Sequence, residues 1–381
     1  MEEEKKISPI RVVLFIVMVG LAFYFIVSGV YKLTNQEPGY YALEAAMDKE
    51  ASTYAHGITC TYLFDGSSNS IKAEKRAAEE CYSGALLRLY KLTDSDNEYE
   101  GYTNIATINK SIGTDVKVSD ELYEILNDAY RKTELGQDYS VFAGAYYHHW
   151  NNILMLSDAE PFDPLINSEE ADRLEELRTR VLNHDNFKLI FKGDNTLRLE
   201  VSEDYLKYIE DSEESTAILD LNVLREAYMV KYVKKSLADK GFTKGRITTD
   251  LGLYADLGDY GAGGYTLAKV VGGKLIFSDT VAVGKDECMS GIIAIPVEEE
   301  ADRYYSVTKD SKTYYRNPFV TLHEGGFPEY IGSSYVKGAA GSDIVNVMYT
   351  NIILNSITEA DSNGKPAVPD TPFEVFAYEL K

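Results

Sequence analysis

The segment VVLFIVMVGLAFYFIVSGVY, Val12 to Tyr31, carries no charge and restricts the architecture of this chain more than any other stretch. An apolar run of about 20 residues at 1.5 Å rise spans the hydrocarbon core of a bilayer as a helix. Lys5, Lys6 and Arg11 precede it and only Lys32 follows closely. The excess of positive charge on the N-terminal side assigns residues 1–11 to the cytoplasm, 12–31 to the membrane and the remainder to the outside. A cleaved signal peptide is the alternative, with Val27 to Gly29 as its small-residue site, but the apolar run is longer than such peptides carry. No cysteine lies near residue 30, which closes the lipoprotein route.

Residues 32–50 read as a stalk and 51–381 as one extracytoplasmic domain, long enough to bury a core. With 38 basic against 61 acidic residues, a net charge of −23, a nucleic-acid surface is excluded, because phosphates are neutralised by clustered Lys and Arg. Three cysteines make no disulfide framework. Cys60 and Cys81 either bridge outside the cell or remain free buried thiols, and Cys288 is left over. His148 and His149 are adjacent and so point to different faces of any regular element. A polar loop or half-exposed pair beside Trp150 is preferred over a zinc site, since no ligand spacing accompanies them.

Hydrophobic periodicity then sets out the elements. GITCTYLF alternates as a strand, and a helix runs from Lys72 to Leu92. VSDELYEILNDAYRKTEL places Leu122, Ile125, Leu126, Ala129 and Tyr130 on one helical face, with Ser119 as cap. EEADRLEELRTRVLNHDN is a charged surface helix, and FKLIFKGDNTLRLEV a strand pair about Gly-Asp-Asn. Ala227, Val230, Val233 and Leu237 form the stripe of a further helix that stops at Gly241. Gly258, Gly261, Gly263 and Gly264 precede no helix and read as turns, not a phosphate loop. Acidic pairs such as Glu213–Glu214 and Glu298–Glu300 read as solvated faces. Helices and strands without strict alternation predict an α+β fold with mixed or antiparallel sheets and flanking helices.

The order of the pieces resembles the bacterial FAD:protein FMN transferases, the ApbE family. YTNIATINK (Tyr102 to Lys110) stands where that family has a Ser-Glu-Leu-Ser-Arg-Leu-Asn segment, followed by VSDELYEILNDAYRKTEL and by GQDYSVFAGAYYHHW with Trp150 in register. DLNVLREAY, from Asp220 to Tyr228, resembles D-L-G-G-I-A-K-G-Y. Met289–Gly291 resembles T-S-G, Pro318–Pro328 resembles H-H-I-L-D-P-R-T-G-Y-P, and SDIVNV resembles A-D-A-L-S-T. The resemblance implies the family's fold, an extracytoplasmic site at the bacterial membrane, FAD and Mg²⁺ as cofactors, and transfer of FMN to a Thr or Ser of a partner protein. Such chemistry needs hard oxygen ligands for the metal and positioned donors at the phosphates.

Carried over residue by residue, the resemblance makes Asp343 the metal aspartate, while the family's Thr ligand is Val347 here. On a helix, Asn346 and Thr350 share a face with Asp343 and are candidate replacement ligands; otherwise Ser342 or Asp343 merely caps the helix. Asp220, Asn222, Ser290, Gly291 and Gly326 are the candidate flavin-binding positions. The two family glycines have become Asn222 and Val223, and the lysine and next glycine Glu226 and Ala227, which puts a side chain and a negative charge where phosphate would approach. Arg225 is one residue out of place and is expected to face solvent. Pro318 and Phe319 replace two histidines, and Leu322 an aspartate; His323 is a weak candidate base or a turn residue, and Asp138 the one substitute for a lost loop carboxylate. Fold-specifying positions thus persist while polar ones are rewritten. This predicts a divergent member with weak or no transferase activity, a flavin nucleotide being still bound or not. The alternatives are an active Mg²⁺-dependent transferase with a flavin-acceptor partner, and a surface interaction protein holding another envelope component. Phe319 and Val223 filling the cleft is the sign expected of lost chemistry.

Overall fold

The computed structural model describes residues 17–26, 37–45, 57–68, 70–136, 138–212, 214–258, 263–297, 303–323, 330–357, 366, 368 and 370–381. Of the apolar N-terminal run, residues 17–26 are described; they are helical (α1) and exposed. Among the described residues no helix is long and apolar enough to cross a membrane, and the rest of the predicted span and the 1–11 tail lie outside them.

A seven-stranded antiparallel sheet organises the chain in the order β1 (Gly39–Ala42), β2 (Thr59–Phe64), β6 (Gly245–Thr248), β7 (Leu253–Asp256), β10 (Cys288–Ile293), β13 (Ile331–Gly338) and β14 (Glu374–Glu379). β1 corrects the predicted stalk: it pairs with β2, and buried Leu43 continues the ladder through its amide to the Cys60 carbonyl. Strand alternation gives the sheet two apolar faces. Cys288, Ile292 and Val336 join the main core under the helices α2 (Ile71–Leu92), α8 (Leu224–Asp239) and α9 (Ile344–Asn355). Met289 and Tyr335 face the other way, onto a hairpin of β8 (Gly263–Val271) and β9 (Lys274–Val283). Gly263 and Gly264, expected in a turn, instead begin β8, and Gly261 lies outside the described residues.

The second half of the core is built from α3 (Ile105–Lys110), α4 (Asp120–Leu135), α5 (Gly144–Leu154), α6 (Ser168–Leu182) and α7 (Glu203–Asp211). With them stand the three-stranded sheet β3 (Asp115–Lys117), β5 (Thr196–Val201), β4 (Phe187–Gly193) and the hairpin β11 (Tyr305–Lys309), β12 (Lys312–Arg316). Local chemistry explains most boundaries. The Ser119 hydroxyl accepts from the Leu122 amide and starts α4. Asp194 and Asn195, at φ +46° and +54°, make the two-residue turn between β4 and β5. Gly241 at φ +81° ends α8.

One open choice is resolved here and two expectations are corrected. Cys60, Cys81 and Cys288 are free thiols, Cys60 and Cys288 buried, so no Cys60–Cys81 bridge exists. His148 and His149 lie in α5, not a loop, although they do face different neighbours. Glu214 is not solvated: it is buried against His149 and Arg173. Glu213, Glu298 and Glu300 lie outside the described residues.

Candidate functional site

The strand-like stretch Ala217–Leu221 leads into α8 and is pinned from both sides. Asn109 on α3 brackets Leu219, accepting its amide at 2.8 Å and donating to its carbonyl at 3.0 Å. The Gly144 amide bonds the Ile218 carbonyl at 3.1 Å, and a Cβ on Gly144 would run into the Ala217 carbonyl. Gly144→Ala is therefore expected to cost about 1–3 kcal/mol by overpacking, read by chemical denaturation; an unchanged midpoint would show that this approach is not tight.

At the end of the strand Asp220 accepts from the Ser95 hydroxyl at 2.7 Å, lies 3.0 Å from His148 Nε2, and receives the Asn222 amide. Burial works to raise the Asp220 pKa, but its bond to His148, the imidazole charge, Ser95 and the Asn222 amide bring it below the ordinary 3.8. Asn222 adopts φ +46°, the left-handed conformation that glycine favours and asparagine tolerates. Thus the bend of the loop survives the loss of the glycine. The first turn of α8 does not: Val223 is buried, and Glu226 is fully enclosed. Burial raises the Glu226 carboxyl to about 8, against hydrogen bonds from Thr249 and Leu251 that favour its charged form. The expected negative charge is therefore absent below that pH. Arg225 does not face solvent as expected. It bonds the Thr93 hydroxyl at 3.0 Å and the Tyr90 carbonyl at 2.9 Å, and stacks over the Tyr90 ring.

The candidate metal positions converge on the seam between α4, α8 and α9. Asp343 caps α9, accepting the Val345 amide at 3.0 Å, and its other oxygen takes a 2.7 Å bond from Lys231. Asn346 accepts from Lys132 at 2.8 Å; that ammonium is almost fully buried and also pairs with Asp128 at 3.0 Å. Asp128 in turn accepts from the Tyr228 hydroxyl at 2.7 Å. Thr350 is half-buried further along α9.

No protein-family model matches the sequence, and no curated protein does. Solved structures do. An ApbE protein from Thermotoga maritima matches with a TM-score of 0.54 at 12% identity, covering 84% of this chain and 87% of that one. The flavin transferase ApbE from Vibrio cholerae matches at 0.52 and 12%, covering 90% and 98%. The flavinyl transferase ApbE of Pseudomonas stutzeri, in its apo form, matches at 0.51 and 12%, covering 90% and 95%.

The chain has the ApbE fold.

Within the ApbE fold, the residues that resemblance puts forward are brought near one another only in part. Asp343 and Asn346 share the α9 face, but Asp343 Oδ2 and Asn346 Oδ1 each meet an ammonium and Asp343 Oδ1 is taken by the Val345 amide. Mg²⁺ demands near-octahedral oxygen ligation, and a lysine at hydrogen-bond distance from each of two candidate ligands repels it. These residues do not fit a magnesium ion, and among the described residues no cluster of three or more His, Cys, Asp or Glu suits a metal. Ser290 and Gly291 lie wholly inside the sheet. Ser290 donates to Met348 Sδ and accepts from Asn351 at 3.0 Å, and the Cβ space of Gly291 is taken by Tyr265 and Tyr335. The close approach that glycine permits there is to tyrosine rings. Phe319 and Leu322 are buried. His323 is exposed, 3.8 Å from Asp138; Gly326 lies outside the described residues.

What the sequence did not reveal is the polar cluster around Asp220. His148 Nδ1 is 3.0 Å from Ser215 Oγ and 3.4 Å from Asp96, while Nε2 faces Asp220. The sequence signal was the His148–His149 pair itself, once placed on a helix begun at Gly144.

Proposed function

We propose that the chain is a membrane-anchored, extracytoplasmic ApbE-type protein that has given up Mg²⁺-dependent FMN transfer and acts by holding another component of the bacterial envelope. The anchor rests on the uncharged run Val12 to Tyr31 and its flanking charges. The loss of transfer rests on one observation: Lys231 and Lys132 are bonded to Asp343 and Asn346, the positions where a divalent cation would need bare oxygens. The buried Val223 and Phe319 side chains support the same reading. A protein with these substitutions keeps a stable scaffold and presents surfaces, whereas phosphoryl-centre chemistry requires charge neutralisation that the site no longer supplies.

The test is incubation of the full chain with FAD, Mg²⁺ and an acceptor protein bearing a flavinylation threonine, followed by denaturing gel fluorescence and by calorimetry of FAD with and without Mg²⁺. No covalent flavin and no effect of Mg²⁺ on FAD binding are expected. Covalent transfer that disappears in Asp343→Ala would overturn the proposal and establish an enzyme.

A further inference from the structure

Ser215, His148 and Asp220 lie in a line that invites comparison with a nucleophile, a base and its orienting acid. The surroundings argue otherwise. His148 on α5 faces Asp220 from the extended segment before α8, and Asp94, Ser95 and Asp96 from the turn after α2. Arg225 also acts on that group of carboxylates, through Asp94 and Asp96. Against the lowering effect of burial, the bond and charge of Asp220 at Nε2 and the charge of Asp96 near Nδ1 raise the imidazole pKa and favour its charged form, which has no lone pair to receive a serine proton. Its neighbour, about 100° round the helix, repeats the pattern. His149 Nε2 is 2.8 Å from Glu170 on α6 and Nδ1 is 3.4 Å from Glu214, which also bonds Arg173.

The carboxylates and hydroxyl so gripped, Glu214, Ser215 and Asp220, all belong to one segment, the connection from α7 into α8. We propose that His148 and His149 form a proton-operated clasp on residues Glu214–Asp220, closed while both imidazoles are charged and released when they lose their protons. Geometry carries this: two adjacent histidines, each between two carboxylates, and each reaching the same segment. Burial works to lower both imidazole pKa values, yet the hydrogen bonds and charges of Asp220, Asp96 and Asp94 for His148, and of Glu214 and Glu170 for His149 against Arg173, bring both above the ordinary 6.5. The sign follows. A group with a raised folded-state pKa contributes fully below its unfolded pKa, and the contribution is lost as pH rises through the folded one. The clasp is shut in acid and opens as the pH rises through the raised folded-state pKa values of the two imidazoles. Release is confined to one end, because Ile218 and Leu219 stay pinned by Gly144 and Asn109, whose bonds do not titrate. The device is independent of whether any flavin binds.

Hydrogen exchange of the full chain, corrected for the intrinsic pH dependence of amides, tests it between about pH 6 and about pH 8.5, a window that brackets a raised histidine pKa. Protection across Glu214–Ala217 is expected to fall several-fold while that of Leu219 holds. Asp96→Asn, at a half-exposed position, removes one carboxylate and should move the opening to lower pH by about half a unit or more. In His148→Gln/His149→Gln the segment should be open at every pH. A flat profile in the native chain, or a fall of equal size in the double variant, overturns the clasp.

Discussion

Asp163→Ala is expected to lose on the order of 3–5 kcal/mol of folding stability, the range for breaking a buried ion pair by removing one partner. Asp163 and Arg316 are both shut off from solvent, with Arg316 Nε 2.7 Å from Asp163 Oδ2 and Nη2 3.2 Å from Oδ1. The same carboxylate accepts the Tyr305 hydroxyl at 2.8 Å and the Leu165 amide at 2.8 Å. One side chain therefore ties the segment between α5 and α6 to the β11–β12 hairpin. Close by, Trp150 bonds the Asn317 carbonyl at 3.0 Å and packs near Tyr305. Alanine would strand a guanidinium in the core and leave a phenol and an amide to find new partners. Trp150 is the single tryptophan, so its fluorescence reports unfolding from the place affected. The double change Asp163→Leu with Arg316→Met should recover most of the loss, because apolar replacement of a whole buried pair is often neutral. A loss below about 1 kcal/mol in Asp163→Ala would show that the pair does not hold this junction together.

Asp163 was invisible as a structural centre in the sequence, and the reason is general to this chain. Signals that depend on a few consecutive residues were readable: the Ser119 cap, the glycine that stops α8, the turn at Asp194–Asn195, and the ordered motifs that point to the fold. Each is decided within one turn or one hairpin. Charges were not readable in the same way. Glu214 stands in an acidic run that looks solvated, and its burial depends on His149 and Arg173 coming from other helices. Arg225 was expected in solvent and instead closes the end of α2. The pairs that occupy the candidate metal positions join Lys231 to Asp343 and Lys132 to Asn346, residues 112 and 214 positions apart. Only tertiary packing decides which cation meets which oxygen. Asn222 is intermediate: the loss of glycine was plain, but the retained left-handed φ required coordinates.

The fold and the candidate site thus answer to different rules. Scaffold positions tolerate exchange among residues of similar shape, as the ApbE likeness at 12% identity illustrates. Cation-binding positions are sensitive to one charge. Supplying ammonium groups from α4 and α8 leaves half-buried Asp343 and exposed Asn346 hydrogen-bonded, so the helix cap of α9 loses nothing.

Glu226→Gln is expected to stabilise the chain at alkaline pH by about 3–5 kcal/mol and to change little in acid. The carboxyl sits in the first turn of α8, wholly buried, with Oε1 lacking a hydrogen-bond partner among the described residues. Burial lifts it from 4.5 to about 8, a displacement worth roughly 1.36 kcal/mol for each pH unit. Between those two values the unfolded chain gives up the proton while the folded chain keeps it, so stability falls as pH rises and levels off above about 8. Glutamine fills the same volume and cannot ionise. Denaturation at about pH 5 and about pH 9 should therefore show a gap between variant and native chain at the higher pH alone; equal gaps at both would mean that Glu226 is not a buried neutral acid. The histidine clasp weakens in the same direction, but it acts on one segment, whereas Glu226 acts through the whole fold. In Glu226→Gln the global slope from this acid is removed, and any alkaline opening that persists at Glu214–Ala217 belongs to His148 and His149.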